Sequence, residues 1–239
     1  MALMTRYDIE LHQMNVKTAY LNGDLEEEVY MDQLKSFITT WKENFVCKLK
    51  KLIYGLKQAS RQWYLKFNDT ILSYGFVENI VNRCIYMKVS GSKFIILVPY
   101  VDDILIAAND IVLLHDVNKF LSNKFEMKDM GDASYVIRIE IFRERSQGVL
   151  GLTTKSYIKK VLERFRMKSC SSGIVPIQKR DKFSQMQCPN NDLEWKEMES
   201  IPYASVVGSL MYIQTCTWSE TSFVVKIFSR YQSDLGMDH

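Results

Sequence analysis

The chain is predicted to adopt an α+β fold, an antiparallel sheet with packed helices followed by a smaller, mainly helical region. Three observations carry that expectation. Residues 94–101 and 104–108 are short apolar runs, rich in β-branched and aromatic side chains, on either side of Asp102 and Asp103. Runs of that composition about a short polar break read as the two strands of a hairpin. The strands do not alternate regularly with crossover helices, which argues against a parallel α/β sheet. Beyond Phe142 the apolar residues recur mostly at helical spacing.

Composition bounds the problem. The 239 residues suffice for one large domain or two small ones. A hydrophobic content of 47% with 25% charged residues is that of a globular protein, so disorder and fibrous classes are set aside. The net charge of +3 permits a polyanionic partner without requiring one. The five cysteines are odd in number and widely spaced with no CxxC, which argues for reduced thiols rather than a disulfide framework or a zinc site. Without a long apolar run or a signal-peptide pattern, the expectation is a soluble intracellular protein with no membrane partner.

In chain order, residues 9–16 (IELHQMNV) read as a strand that runs into an Asn22-Gly23-Asp24 turn. Glu26, Glu27 and Glu28 read as a solvated face. Residues 45–52 alternate apolar with basic, as a half-exposed strand would. Trp63, Phe67, Ile71 and Tyr74 recur at near-helical spacing and predict a helix over 59–74, with Gly75 at its C-cap. Residues 84–89 and 94–101 form a hairpin through Ser90-Gly91-Ser92 that leads into the acidic pair. Pro99 has no N–H to donate and belongs on an edge or at a bulge.

Asn109 and Asp110 are N-cap candidates for a helix whose stripe is Leu113, Val117, Phe120, Leu121 and Phe125. Residues 135–142 (YVIRIEIF) read as one strand and 149–152 as the next. Residues 156–167 read as an amphipathic helix, with Tyr157, Ile158, Val161, Leu162 and Phe165 inward and Lys159, Lys160, Arg164 and Arg166 outward. Residues 183–199 read as a loop, and 203–216 and 221–231 as two packed helices.

The acidic pair has two readings. An ionised carboxylate in so apolar a setting is costly without a cation or a hydrogen-bonding partner, which favours a metal site. Asp is also a common turn residue, which favours a solvated turn.

Placed on a hairpin, Tyr100-Val101-Asp102-Asp103 resembles the reverse transcriptase of copia-type LTR retrotransposons. The resemblance extends to residues 11–30 (LHQMNVKTAYLNGDLEEEVY), 54–64 (YGLKQASRQWY), 125–131 (FEMKDMG), 202–212 (PYASVVGSLMY) and Ser229-Arg230-Tyr231. It therefore covers most of the chain in the family's order. It implies a polymerase palm over residues 1–142, with the fingers largely missing, and a thumb- or connection-like region over 143–239. It also implies an RNA-directed DNA polymerase, a nucleotidyltransferase acting on an RNA or DNA primer–template and dNTPs with two Mg²⁺ or Mn²⁺ ions. Two such cations would stabilise the attacking and leaving oxygens of an in-line displacement, held by hard carboxylate ligands.

By the same resemblance Asp102 is a principal metal ligand with Asp103 beside it. Tyr20 matches the aromatic residue under the dNTP sugar, Gln58 lines the nucleotide pocket, and Lys57 and Arg61 assist with phosphate or template. Read from the residues alone, Tyr20 is rather a core aromatic and Gln58 an exposed helix-end residue.

The departures from the family bear on activity. Asn15 stands where the family has its other metal-binding aspartate, on the strand beside the acidic hairpin. If that change weakened transition-state stabilisation by about 4 kcal/mol, the rate would fall roughly a thousandfold. Ser60 replaces a family proline, Arg138 a family glycine, and Trp218-Ser219-Glu220 a family Arg-Pro-Asp. No RNase H, integrase or protease segment is expected after His239. The expectation is a truncated, degenerate reverse transcriptase with little or no catalysis, a pseudoenzyme. The alternative is a non-catalytic nucleic-acid-binding module.

Overall fold

The computed structural model describes residues 2–38, 41–42, 44–171, 183–216, 222–232 and 236. The chain divides into two compact units, Met1–Ala133 with Arg145–Val149, and Ser134–Glu144 with Leu150–His239. It is a mixed α and β protein with a mainly antiparallel sheet and seven α-helices among the described residues.

The first unit opens with α1 (Ala2–Tyr7) and β1 (Glu10–Val16). A small ribbon of β2 (Tyr30–Asp32) and β3 (Val46–Lys48) follows. Then come α2 (Ala59–Ser73), β4 (Val77–Glu78), β5 (Tyr86–Ser90), β6 (Lys93–Tyr100), β7 (Asp103–Ala108), α3 (Ile111–Lys124) and β8 (Met127–Asp132). The main sheet has the order β4-β5-β6-β7-β1-β8, and every neighbouring pair is antiparallel. The first strand of the chain is thereby inserted beside the acidic hairpin.

The two-residue period of a strand sorts the side chains between faces. Met14 and Val16 of β1, Ile95 and Leu97 of β6, and Ile104, Ile106 and Ala108 of β7 join one buried cluster with Trp63, Phe67 and Ile71 of α2 and Leu114, Val117 and Leu121 of α3. Each large side chain buried there contributes about 1.5–3 kcal/mol. Gln13, Asn15 and Asp103 have the opposite parity and share the other face with Leu105 and Ala107.

The helices expected in this unit are present. The spacing of Trp63, Phe67 and Ile71 makes the buried face of α2, and Gly75 follows it at φ +85°, a left-handed conformation that glycine adopts without steric cost. Asp110 caps α3, its carboxylate accepting from the Leu113 amide at 2.9 Å, while Asn109 closes the adjoining hairpin through Phe94 N–H and the Ser92 carbonyl. Glu26, Glu27 and Glu28 are exposed as expected.

Pro99 lies within a central strand, yet it costs no ladder bond. Tyr100 and Asp103 close a two-residue hairpin, so Pro99 and Ile104 form a pair of the non-hydrogen-bonded kind. The Pro99 nitrogen then points toward β5, whose pairing with β6 has already ended at Tyr86 opposite Leu97. Pro99 occupies a local edge, where proline is tolerated.

One expectation in this unit is corrected. The strand expected over 45–52 shrinks to β3, whose three residues are all exposed. Its alternating lysines give it no second apolar face to bury.

The second unit contains β9 (Tyr135–Val136), β10 (Ile139–Glu144) and β11 (Val149–Thr153) in a three-stranded sheet of order β11-β10-β9. It continues with α4 (Lys155–Arg164), α5 (Asp192–Glu199), α6 (Tyr203–Cys216) and α7 (Ser222–Phe228). The single strand expected over 135–142 is instead a tight hairpin, because Ile137 and Arg138 take φ of +48° and +60° and turn the chain between Val136 and Ile139. The Tyr212 hydroxyl donates to the Ile137 carbonyl and pins that turn.

The loop expected over 183–199 contains α5. Asn191 accepts from the amides of Leu193 and Glu194, and Glu194 returns a carboxylate to the Asn190 amide, a reciprocal capping arrangement. Helix α4 is shorter than expected, and Leu162 is exposed rather than inward. Helix α6 has its expected bounds; the Trp218-Ser219-Glu220 departure lies outside the described residues.

Candidate active site

Strands β6 and β7 meet in a two-residue turn, Val101-Asp102, with Asp103 as the first residue of β7. Val101 takes φ +55°. That left-handed conformation is costly for a β-branched residue and is held here by its surroundings. The indole N–H of Trp63 on α2 donates to the Val101 carbonyl at 2.9 Å, and the Val16 amide of β1 donates to the Asp102 carbonyl at 2.6 Å. The backbone of the turn is thus fixed from both sides.

The two carboxylates point to different partners. Asp103 is directly opposite Asn15 on β1. Asn15 Nδ2 donates to Asp103 Oδ1 at 3.0 Å, and Gln13 Nε2 donates to the same oxygen at 3.2 Å. Asp102 Oδ1 accepts from the Tyr54 hydroxyl at 2.8 Å. The Tyr54 ring in turn packs on Tyr20, with centroids 4.4 Å apart. Desolvation, followed by the hydrogen bond to Asp102 and its charge, pushes the Tyr54 phenol up to about 12.

Tyr20 sits in a short 3-10 turn, Ala19–Asn22, which follows β1. With Ser60, Trp63, Tyr64, Phe67, Cys84, Pro99 and Val101 it lines a mainly apolar cavity of about 140 Å³ behind the acidic turn. Gly23 brings this turn against α2, since a Cβ at that position would lie 2.7 Å from Leu52 Cδ1 and 3.1 Å from the Trp63 nitrogen.

The structure therefore gathers Asn15, Asp102, Asp103 and, through Tyr54, Tyr20. It does not link the remaining candidates to them. Gln58 occupies the N-cap position of α2 with no side-chain cap bond, and Lys57 and Arg61 are exposed. Among the described residues no hydrogen bond or ion pair joins Gln58, Lys57 or Arg61 to Tyr20 or to the acidic pair.

Two residues of this site escaped sequence reasoning. Gln13 was findable, because it lies two positions before Asn15 on a strand and so shares its face. Tyr54 opens the YGLKQASRQWY motif, but its reach to Asp102 is a tertiary contact that no local pattern carries.

The donor set does not fit a pair of divalent cations. A two-metal centre needs carboxylates that bridge, with oxygens turned toward the ions. Here the position opposite Asp103 is an amide, and its N–H, together with that of Gln13, is directed at the Asp103 oxygen. Asp102 presents the second carboxylate, engaged by a phenol.

The sequence of the chain is similar to those of known proteins. A family model described as reverse transcriptase (RNA-dependent DNA polymerase) matches residues 1–179. The chain is 42% identical over its whole length to the retrovirus-related Pol polyprotein from transposon TNT 1-94 of Nicotiana tabacum, and spans 18% of that protein. It is 34% identical over 92% of its length to the Pol polyprotein from transposon RE1 of Arabidopsis thaliana, and spans 14% of it. A putative transposon Ty5-1 protein of Saccharomyces cerevisiae is 26% identical over 91% of the chain, which spans 68% of that protein. No solved structure matches the chain. Among the described residues no helix is long and apolar enough to cross a membrane.

Proposed function

The chain belongs to the reverse transcriptase family of copia-type LTR retrotransposons, and from that membership we propose that it is a catalytically impaired member, a palm-like unit that retains the acidic hairpin but not the metal centre. In this reading residues 1–142 are the palm-like domain, and residues 143–239 are thumb- or connection-like. The family uses divalent metal ions, and Asp102 and Asp103 are the positions that would have held them.

The observation that carries this reading is the hydrogen bond from Asn15 to Asp103. An aspartate at position 15 would set a second carboxylate against Asp103, a like-charge pair that a cation between them relieves. Asparagine satisfies Asp103 without one. The site has thereby become self-contained, and a self-contained carboxylate offers little to a hard cation.

Tyr20 and Gln58 keep the types the family uses around an incoming dNTP, so loss of metal chemistry does not require loss of nucleotide contact. Primer extension on an RNA template with Mg²⁺ or Mn²⁺ tests the proposal. The expected result is no extension above the level of an Asp102→Asn variant, and extension well above that level would refute it.

The second reading, a nucleic-acid-binding module without catalysis, is favoured by the exposed Lys57 and Arg61 at the start of α2 and the exposed Lys159 of α4. It predicts binding of primer–template that weakens steeply from low to moderate salt as counterions are released. Salt-insensitive or absent binding would exclude it.

A further inference from the structure

The second unit holds an open cleft of about 500 Å³ to which the acidic hairpin contributes nothing. Its basic residues are Arg138 from the β9–β10 turn and Lys160 and Arg164 from α4. The two α4 residues are four apart, so they lie one above the other on a single helix face. Among the described residues none of these three cations forms an ion pair. The Arg138 guanidinium lies 5.8 Å from the centre of the Tyr157 ring, and Tyr157 is itself held edge-on to Tyr212 with centroids 4.8 Å apart.

The polar atoms of the cleft are of two kinds. Three cations can only donate. Three of the four hydroxyls have already given their hydrogens away: Tyr135 and Ser156 donate to Glu140 at 2.8 and 3.1 Å, and Ser209 donates to the Ser205 carbonyl at 2.8 Å. Their oxygens are left as acceptors. Glu140 accepts from two of these hydroxyls and, among the described residues, makes no ion pair with the three cations.

A ligand that fits must bring a concentrated anion to one group and hydroxyl or amine donors to the other. A flat ring on the ligand can pack against Tyr157, since bases stack on aromatic side chains. The volume exceeds what a bare phosphate needs and lies within the usual range for small-molecule sites. We propose that this cleft binds a nucleoside monophosphate, with the phosphate on Arg138, Lys160 and Arg164, the sugar hydroxyls toward Tyr135, Ser156 and Ser209, and the base against Tyr157. Arg138 would hold the anion from a left-handed turn position.

Calorimetric titration of the full chain with adenosine monophosphate, adenosine, inorganic phosphate and a short single-stranded oligonucleotide tests the assignment. The expected result is one saturable site for adenosine monophosphate, at least tenfold tighter than for adenosine or phosphate. Lys160→Gln and Arg164→Gln should each weaken it severalfold, and Arg138→Gly at least tenfold. Lys160 and Arg164 are exposed, so their variants keep the test open even if Arg138→Gly alters the turn. Absent or unsaturable binding overturns the proposal, as does binding unchanged in these variants or lost in Tyr20→Ala. Binding of the oligonucleotide alone also overturns it, since that marks a surface for nucleic acid. Failure of the polymerase reading would leave this site untouched.

Discussion

Asn15 and Asp103 are cross-strand partners on β1 and β7, joined by a side-chain hydrogen bond of 3.0 Å from the Asn15 amide to the Asp103 carboxylate. Gln13 reinforces the contact from the same face. Both amide side chains thus donate to one oxygen of Asp103.

The first prediction concerns stability. Asn15→Asp without metal replaces an attractive contact by two facing carboxylates, and should cost about 1–3 kcal/mol at neutral pH. Like charges raise the carboxyl pKa in the folded variant above its unfolded value. The deficit relative to the parent should therefore be small below the ordinary carboxylate range and grow as pH rises through it. Urea unfolding of both chains across pH 3–8 measures this, and a deficit independent of pH would contradict it.

Tyr54 provides a second test. Its phenol is raised to about 12, first by desolvation and then by the bond to Asp102 and its charge, so the neutral phenol contributes stability below about pH 10 that is lost as pH rises through about 12. The phenolate absorbance present in the parent and missing from Tyr54→Phe should titrate late, and Asp102→Asn should move it down. The Tyr54 side chain is half exposed, so Tyr54→Phe should cost only about 0.5–1 kcal/mol. A Tyr54 component that titrates near 10 would contradict the contact.

At the turn itself, Val101→Gly removes a left-handed β-branched residue. Relief of about 1–2 kcal/mol, offset by about 0.5–1 kcal/mol of added chain entropy in the unfolded state, should give a net gain of about 0.5–1 kcal/mol. The urea midpoint should rise with an unchanged slope. A lower midpoint would mean that Val101 contributes more through packing than its backbone costs.

Gly23→Ala should act in the opposite direction. Its Cβ would press on Leu52 and on the backbone of α2 at Trp63, at a cost of about 1–3 kcal/mol. Because the Trp63 indole also holds the Val101 carbonyl, tryptophan fluorescence should shift with the loss of stability. An unchanged melting point would show that the Tyr20 turn is free to move away from α2.

Much of the first unit was legible in the sequence, for identifiable reasons. Helices α2 and α3 bury one regular stripe each, and Asp110 is a strong cap, so period and capping agree. The acidic hairpin was legible because two β-branched runs enclose a polar break. The β9–β10 hairpin was not, because its turn residues Ile137 and Arg138 carry no turn signal. A tertiary bond from Tyr212 helps to impose the turn. Helix α5 was missed although Asn191 and Glu194 form a capping pair three residues apart, a signal outweighed by the polar composition around it. At the site, the family resemblance placed Asn15 beside the acidic hairpin but gave no register, and the Tyr54–Asp102 contact, which joins residues 48 apart, has no local trace.

The most direct measurement is primer extension on an RNA template with Mg²⁺ or Mn²⁺, comparing the parent chain with Asn15→Asp and with an Asn15→Asp, Asp102→Asn double variant. The account predicts no extension by the parent and cation-dependent extension by Asn15→Asp. The gain should reach roughly a thousandfold if the substitution costs about 4 kcal/mol of transition-state stabilisation, and the double variant should lose it. Extension by the parent at the rate of Asn15→Asp would contradict the claim that the amide at position 15 silences the site.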